Sequence, residues 1–122
     1  MSKTILIVDD DARIRKLLLT CIIRHGYKVK IVSDGLLALA EIRNALPDLL
    51  ITDFNMPNLD GLSLIKILRA DPTMSMLPII ALSAEADRMR SMIHPDQVAH
   101  LLMKPIPLTV LCTIVHDLIG PP

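Results

Sequence analysis

Five polar residues follow directly after short apolar runs of this sequence, and their side chains are suited to phosphoryl and metal chemistry: Asp9, Asp10, Asp53, Ser83 and Lys104. Three carboxylates gathered in one place repel one another, and some remain protonated unless a cation joins them. Magnesium typically binds one or two carboxylates, keeps several waters and leaves room for a phosphate oxygen. A lysine and a hydroxyl suit the remaining phosphate oxygens. The set predicts a phosphoryl-transfer site without a nucleotide-binding loop, because neither G-x-x-x-x-G-K-[ST] nor G-x-G-x-x-G occurs.

The elements that must position these residues are five strands alternating with five helices. Strands are expected at 4–8, 28–32, 49–52, 79–82 and 98–103. Helices are expected from Ala12 to a stop at Gly26, from a cap at Ser33 or Asp34 to about Ala45, from a cap at Asn58 or Asp60 to about Ala70, from Glu85 to about Ile93, and from Leu108 to Ile119. This order argues for an α/β fold, a doubly wound parallel sheet with helices on both faces. Ligands of such sheets bind beyond the carboxyl ends of the strands, where the five polar residues are expected to meet.

Length and composition exclude several other classes of protein. The 122 residues suit one domain, and 52% apolar with 21% charged residues excludes a disordered chain. Lys plus Arg and Asp plus Glu number 13 each, so the totals carry no electrostatic footprint for nucleic acid or an anionic membrane. The apolar runs are too short for a membrane span or a signal peptide. Cys21 and Cys112 are interpreted as buried reduced thiols, which favours a cytoplasmic location.

The sequence resembles the receiver domains of two-component response regulators, close to the single-domain chemotaxis type. The stretches "ILIVDDD", "LLITDFNMPNLDGL", "LPIIALSAEA" and "LLMKPI" match the motifs of that family in order, and the likeness covers essentially the whole chain. Each motif alone is weak, whereas the four together at these spacings are highly specific. The resemblance implies a flavodoxin-like, three-layer (βα)5 sandwich with sheet order 2-1-3-4-5, and residues 1–122 as a single receiver domain.

The resemblance also implies a role for each acidic residue of the set. Asp53 would be the phosphoacceptor, modified in a magnesium-dependent reaction. Asp10 and Asp53 would bind Mg²⁺ together with the backbone carbonyl of Asn55, and Asp9 would act through water. Pro57 and Gly61 would keep the loop after the acceptor stiff and tight.

The resemblance also implies which residues surround the phosphoryl group once Asp53 carries it. Ser83 would bond one phosphoryl oxygen and Lys104 would pair with another, while the Lys104–Pro105 bond would be cis, a form that proline makes accessible. Asn55 and Glu85 would flank the path of the water that attacks the phosphoryl group. This pair resembles that of rapidly decaying receivers, so we expect autodephosphorylation within seconds to minutes.

By the same resemblance, the phosphoryl group would come from a histidine kinase or a phosphotransfer protein. The output would be a downstream effector protein or a C-terminal output domain that the sequence does not identify. This domain itself is not expected to bind nucleic acid or membrane, and a dimer formed on phosphorylation is compatible with the family. It is not expected to be an enzyme on an external substrate, although it assists its own phosphorylation and dephosphorylation.

Two alternatives remain open from the residues. A magnesium-dependent phosphohydrolase resembling the haloacid dehalogenases would carry a second acid two residues after its aspartyl nucleophile, where this chain has Asn55. A degenerate receiver, acting only as a protein-interaction module, is suggested by departures at the end of the chain. Leu101 replaces the usual switch aromatic, Ile106 replaces a common phenylalanine, and 94–97 replaces a glycine turn, so the fourth helix is expected to be short or irregular.

The histidines and cysteines are interpreted without a functional role. The four histidines share no metal-ligand spacing and are read as scattered surface or helix-end residues: His25, His94, His100 and His116. His25, beside Gly26, suits the negative end of a helix. If the family fold holds, Cys21 and Cys112 lie on helices that pack on the same sheet face, so the thiols could approach each other, but a redox role is the weaker interpretation.

Overall fold

The computed structural model describes residues 2–122, which form a five-stranded parallel sheet with helices on both faces. The strands are β1 Thr4–Val8, β2 Lys28–Val32, β3 Leu49–Asp53, β4 Ile79–Ser83 and β5 His100–Met103, in the order β2-β1-β3-β4-β5. The helices are α1 Ala12–Arg24, α2 Gly35–Asn44, α3 Gly61–Ala70, α4 Ala86–Arg90 and α5 Leu108–Ile119. The predicted fold class and strand order are confirmed.

The alternation of side chains along each strand builds two separate cores. Ile5 and Ile7 of β1 point to the face covered by α1 and α5, where Leu18 and Val115 complete the packing. Leu6 and Val8 point to the opposite face, which is covered by α2, α3 and α4. Because both faces are covered, the central strands are apolar up to the polar residues at their carboxyl ends.

Aspartates begin three of the helices and resolve the alternatives that the sequence left open. Asp11, Asp34 and Asp60 accept hydrogen bonds from backbone N–H groups of the first turns of α1, α2 and α3. Asn58 takes the left-handed backbone conformation instead, with φ of 68°, and its Nδ2 donates to Asp34 Oδ2 at 3.0 Å. The loop before α3 is therefore tied to the start of α2.

The fourth helix is short, as expected, but the segment between β4 and β5 departs from the predicted bounds. Helix α4 ends at Arg90 rather than near Ile93, and Ser91 Oγ donates to the Arg88 carbonyl at its end. A 3-10 helix at Pro95–Gln97, which was not predicted, follows and is closed by reciprocal hydrogen bonds between His94 and Gln97. The predicted start of β5 at Val98 is wrong, because β4 begins only at Ile79 and offers no partner that far back.

In the described part of the chain, every helix is too short, or not apolar enough, to cross a bilayer.

Candidate functional site

Three carboxylates meet at the carboxyl edge of the sheet. Asp9 follows β1 and is 1% exposed, whereas Asp53 is the last residue of β3 and is 6% exposed. With the exposed Asp10, they offer carboxylate oxygens that all lie within 4.8 Å of one another. The cluster expected from the sequence therefore forms. Two of its acids are held by the sheet while Asp10 faces solvent.

Lys104 supplies the positive charge nearest to these acids. Its Nζ donates to Asp9 Oδ2 at 2.8 Å and lies 3.2 Å from Asp53 Oδ2. The Lys104–Pro105 peptide bond is cis, as the resemblance implied. The backbone N–H of Lys104 also donates to the Ser83 carbonyl at 2.9 Å, which extends the β4–β5 pairing to this residue. A lysine 51 residues along from Asp53 is thus brought into contact with it by the sheet.

The charges at this edge are not balanced by the protein alone. Burial raises the pKa of Asp53, and the negative Asp9 raises it further, although Lys104 opposes both effects. Burial lowers the pKa of Lys104, but its hydrogen bond to Asp9 and the negative charges of Asp53 and Asp9 outweigh burial, so the net pKa is raised. The lysine is therefore charged at neutral pH, and the acids still favour one further cation.

We predict that Asp53→Asn raises the free energy of unfolding of the unmodified protein in magnesium-free buffer at pH 7. A raised pKa means that the folded state holds its proton more tightly than the unfolded state. Ionisation of Asp53 therefore costs stability as the pH rises above the unfolded value of about 3.9. The variant should have the larger free energy of unfolding above that pH, and the two proteins should become equally stable below it. Urea unfolding across the pH range measures this difference. A variant that is less stable than wild type at pH 7 would contradict this.

Ser83 lies at the same edge, one strand away from Asp53. Asp53 pairs in register with Leu82, so Ser83 stands one residue further along β4. The side chain is fully buried, and its Oγ accepts a hydrogen bond from the Glu85 N–H at 3.0 Å. Because that bond uses an oxygen lone pair, the hydroxyl proton remains available to an acceptor at this edge. Glu85 itself is half exposed and pairs with Arg88.

The loop from 54 to 60 returns the chain tightly to Asp53. Phe54 is buried and its carbonyl accepts from the Gly61 N–H at 2.8 Å, while the Asn55 N–H lies 3.4 Å from Asp53 Oδ1. A Cβ placed on Gly61 would lie 2.3 Å from the Asp53 carbonyl oxygen, which is too close for any side chain. Gly61 therefore keeps this loop tight, as expected, because the absence of a side chain lets it pack directly against the backbone of Asp53. Pro57 contributes its carbonyl, which accepts from Leu59 N–H at 2.8 Å.

One supporting residue was missed in the sequence. Arg15 donates from its guanidinium to the Asp9 carbonyl at 2.7 Å and so ties the first turn of α1 to the acidic edge. The spacing carries a weak signal for this contact, because a residue one turn into a helix faces back toward the strand end that precedes it. A second cluster, formed by Cys21, His25 and Cys112, lies apart from this edge. The sequence allowed the two thiols to approach each other, but His25 was not expected to join them.

Residues 5–116 match the response regulator receiver domain family. A DNA-binding response regulator of Mycobacterium tuberculosis, MtrA, is 36% identical over 87 residues, which are 71% of this chain and 37% of that protein. The chain therefore spans well under half the length of the curated relatives that it matches.

Solved structures of similar proteins cover nearly the whole chain. A structure described as a response regulator of Chloroflexus aurantiacus has a TM-score of 0.91 and 32% identity, over 98% of this chain and 99% of that one. The receiver domain of a sensor histidine kinase of Pseudomonas aeruginosa, with a magnesium ion in its active-site cleft, has a TM-score of 0.88 and 29% identity, over 98% and 99% of the two chains. The chemotaxis response regulator CheY4 of Vibrio cholerae has a TM-score of 0.88 and 27% identity, over 97% and 99%.

Proposed function

This chain belongs to the family of response regulator receiver domains, and we propose that Asp53 is the residue at which it is phosphorylated. The observation that carries this assignment is the position of the Asp53 carboxylate, which is 3.2 Å from the Lys104 ammonium and within 4.8 Å of the carboxylates of Asp9 and Asp10. Residues 1–122 would act as a single receiver domain.

Members of this family bind Mg²⁺ at their acidic site, and the residues at this edge fit such an ion. Asp10 and Asp53, with the backbone carbonyl of Asn55, are the ligands that we propose. Both oxygens of Asp9 already accept hydrogen bonds, from Asp11 N–H at 2.9 Å and from Lys104 at 2.8 Å, so Asp9 is better suited to act through water. When bound, the ion offsets the negative charge that would otherwise repel a phosphoryl donor.

The chain's own residues then carry the transfer. The ionised Asp53 carboxylate forms the new bond to phosphorus while the bond to the donor breaks, and the donor leaves with that electron pair. The Lys104 ammonium stabilises one phosphoryl oxygen as negative charge accumulates. The Ser83 hydroxyl, whose proton is not used by its bond from Glu85 N–H, donates to another. The product is an aspartyl phosphate whose added charge draws Ser83 and Lys104 toward it.

We propose that this attraction switches the surface beside β4 and β5. Lys104 N–H is bonded to the Ser83 carbonyl, so the two strand ends are linked through the backbone and shift together. Leu101, in the middle of β5, packs partly buried against the core beneath α2, α3 and α4. With leucine in place of an aromatic residue, the shift would be transmitted by apolar packing, and the difference in contacts between the two states sets its size.

The partners follow from this role. A histidine kinase or phosphotransfer protein would supply the phosphoryl group, and a downstream effector or an output domain would read the switched surface. MtrA is a DNA-binding response regulator, and this chain matches 37% of its length. We propose that the matched part is the receiver portion, and the net charge of 0 of this chain gives it no electrostatic attraction for nucleic acid. The free cysteines Cys21 and Cys112 suit the cytoplasm, where such kinases deliver phosphoryl groups.

The phosphohydrolase alternative is disfavoured by Asn55. Its amide does not exchange a proton near neutral pH, so it cannot serve as the general acid-base that such an enzyme needs at this position. Asn55 and Glu85 are instead proposed to set the rate at which water attacks the aspartyl phosphate. Both side chains are exposed or half exposed at the open side of the site.

The deciding experiment incubates the protein with acetyl phosphate, with and without Mg²⁺, and follows intact mass. A base-labile acyl phosphate that maps to Asp53, requires Mg²⁺ and decays within seconds to minutes after donor removal supports the assignment. Modification that persists for hours would contradict the proposed roles of Asn55 and Glu85. Multiple turnovers of phosphoester substrates would instead favour the hydrolase.

Magnesium is predicted to stabilise the folded protein through this site. A ligand that binds only the folded state at 100 times its dissociation constant adds about 2.7 kcal/mol of stability. Wild type should therefore unfold at a higher temperature as MgCl₂ is raised at constant ionic strength. Asp10→Asn should lose this increase, whereas Asp87→Asn, at an exposed position of α4, should keep it. An equal increase of the unfolding temperature in all three proteins would mean that magnesium acts at a site other than the acidic edge.

A further inference from the structure

A second group of potential ligands lies in a groove between α1 and α5. Cys21 lies in the last turn of α1, His25 is the residue that follows this helix, and Cys112 lies in the second turn of α5. The groove has a volume of about 1140 Å³ and opens to solvent, with all three residues among its lining. Cys112 is nearly buried, Cys21 is half buried and His25 is exposed, so a small ion could reach the cluster from outside.

The ligand atoms are close enough to share one ion. The sulfur atoms of Cys21 and Cys112 and a ring nitrogen of His25 lie within 4.8 Å of one another. Around a tetrahedral Zn²⁺ with Zn–S bonds of about 2.3 Å, two sulfurs are about 3.8 Å apart. No separation would have to close by more than about 1.2 Å, which is within reach of side-chain rotation at an exposed histidine and a half-buried cysteine.

The hydrogen bond of His25 prepares its ring for a metal. Nδ1 lies 3.0 Å from the Cys21 carbonyl oxygen. A carbonyl oxygen only accepts, so Nδ1 carries the proton and Nε2 of the neutral ring keeps its lone pair. Metal-binding histidines commonly donate from one nitrogen to a carbonyl in this way, which selects the tautomer and the ring orientation. The same bond also caps a carbonyl at the end of α1.

The thiols of the groove would lose their protons on binding the metal. Burial and the neighbouring Cys21 raise the pKa of the Cys112 thiol to about 12, so a bound divalent ion must displace the thiol protons, as metals do when they bind cysteine. Two thiolates and one neutral imidazole neutralise a divalent ion completely. Sulfur and imidazole ligands are suited to zinc, in contrast to the all-oxygen acidic edge, which suits magnesium.

From this geometry we propose that Cys21, His25 and Cys112 bind one Zn²⁺ ion, with solvent in the fourth position, and so join α1 to α5. His116 lines the same groove but lies outside the cluster of three. The site is separate from the phosphorylation site, because none of its residues belongs to the acidic edge. A result for or against zinc binding therefore does not bear on the proposed phosphorylation of Asp53.

Cobalt(II) is the probe, because tetrahedral coordination by thiolates gives intense visible bands and a charge-transfer absorption that oxygen ligands do not give. The full chain is titrated with CoCl₂ in a phosphine-reducing buffer containing saturating Mg²⁺. We expect saturation at one Co²⁺ per chain, loss of the spectrum on addition of zinc, and a higher unfolding temperature with zinc.

Variants assign the ligands. His25→Gln and Cys112→Ala should each weaken cobalt binding by more than about 100-fold, since losing even a supporting partner of a ligand costs about 10–100-fold. His94→Gln, on the far segment between α4 and β5, should bind as wild type does. Because His25 is exposed, its variant is expected to fold normally, which circular dichroism verifies. Absence of the thiolate spectrum in wild type, or an unchanged spectrum in either ligand variant, would overturn the proposal.

Discussion

Asp53→Asn is expected to abolish phosphorylation by acetyl phosphate, with a loss of rate of at least about 10³-fold, because removal of the nucleophile costs up to about 10⁶-fold in enzymes. Asparagine has nearly the same shape as aspartate, so β3 and the loop that follows it should keep their positions. Its neutral amide, however, offers no anionic oxygen to attack phosphorus. The measurement is the fraction of acyl phosphate formed over time in saturating Mg²⁺, read by intact mass.

The control for this experiment is Asp96→Asn, which removes an acid that is 90% exposed in the 3-10 helix and distant in sequence from the cluster. This control variant should be phosphorylated at the wild-type rate. Continued modification of the Asp53→Asn protein at a comparable rate would show that another carboxylate is the acceptor, and Asp10, the exposed member of the cluster, would then be the first to test. A variant that unfolds would be recognised separately, because the amide is expected to raise the stability of the metal-free protein.

The sheet and the acidic edge were predictable from the sequence because each depends on a short-range pattern. Apolar runs of five residues identify parallel strands covered on both faces, and the residues that end them must share one edge. The positions of Asp9, Asp53 and Lys104 follow from that rule without any knowledge of their contacts. Their hydrogen bonds, including the one from Arg15, depend on side-chain directions that the pattern does not contain.

The segment between α4 and β5 was less predictable for a physical reason. Where α4 ends is decided by local competition, with Ser91 bonding back to the helix and Pro95 opening a 3-10 turn. Where β5 begins depends on the length of its partner strand, which is not written in the residues of β5 itself. The Cys21–His25 spacing of four residues was visible on the predicted α1, but the approach of Cys112 required the packing of α1 against α5.

The second large effect is expected at Gly61, the first residue of α3. Replacing glycine by alanine within a helix ordinarily stabilises a protein by about 0.5–1 kcal/mol. Here the new methyl group would lie 2.3 Å from the Asp53 carbonyl oxygen and 2.8 Å from the Phe54 Cα, both of which are backbone atoms. Since neither can turn aside, we expect Gly61→Ala to destabilise the fold by about 1–3 kcal/mol, the usual range for an overpacked core. Urea unfolding measures this change, with Ser63→Ala in the same helix as the control.

The same clash should also slow the phosphorylation of Asp53. The backbone that Gly61 presses against is that of the phosphoacceptor, so relief of the clash must move Asp53 or the loop after it. A displacement of about 1 Å in a reacting group can cost about 10²-fold in rate. Phosphorylation of folded Gly61→Ala should therefore be slowed by up to that factor. Gly35→Ala, which would press on the Leu59 carbonyl at 2.1 Å, should destabilise the fold with a smaller effect on rate, because the atom that it displaces belongs to a residue six positions along the chain from Asp53 and not to Asp53 itself. A Gly61→Ala protein as stable and as reactive as wild type would mean that the loop does not hold the acceptor in place.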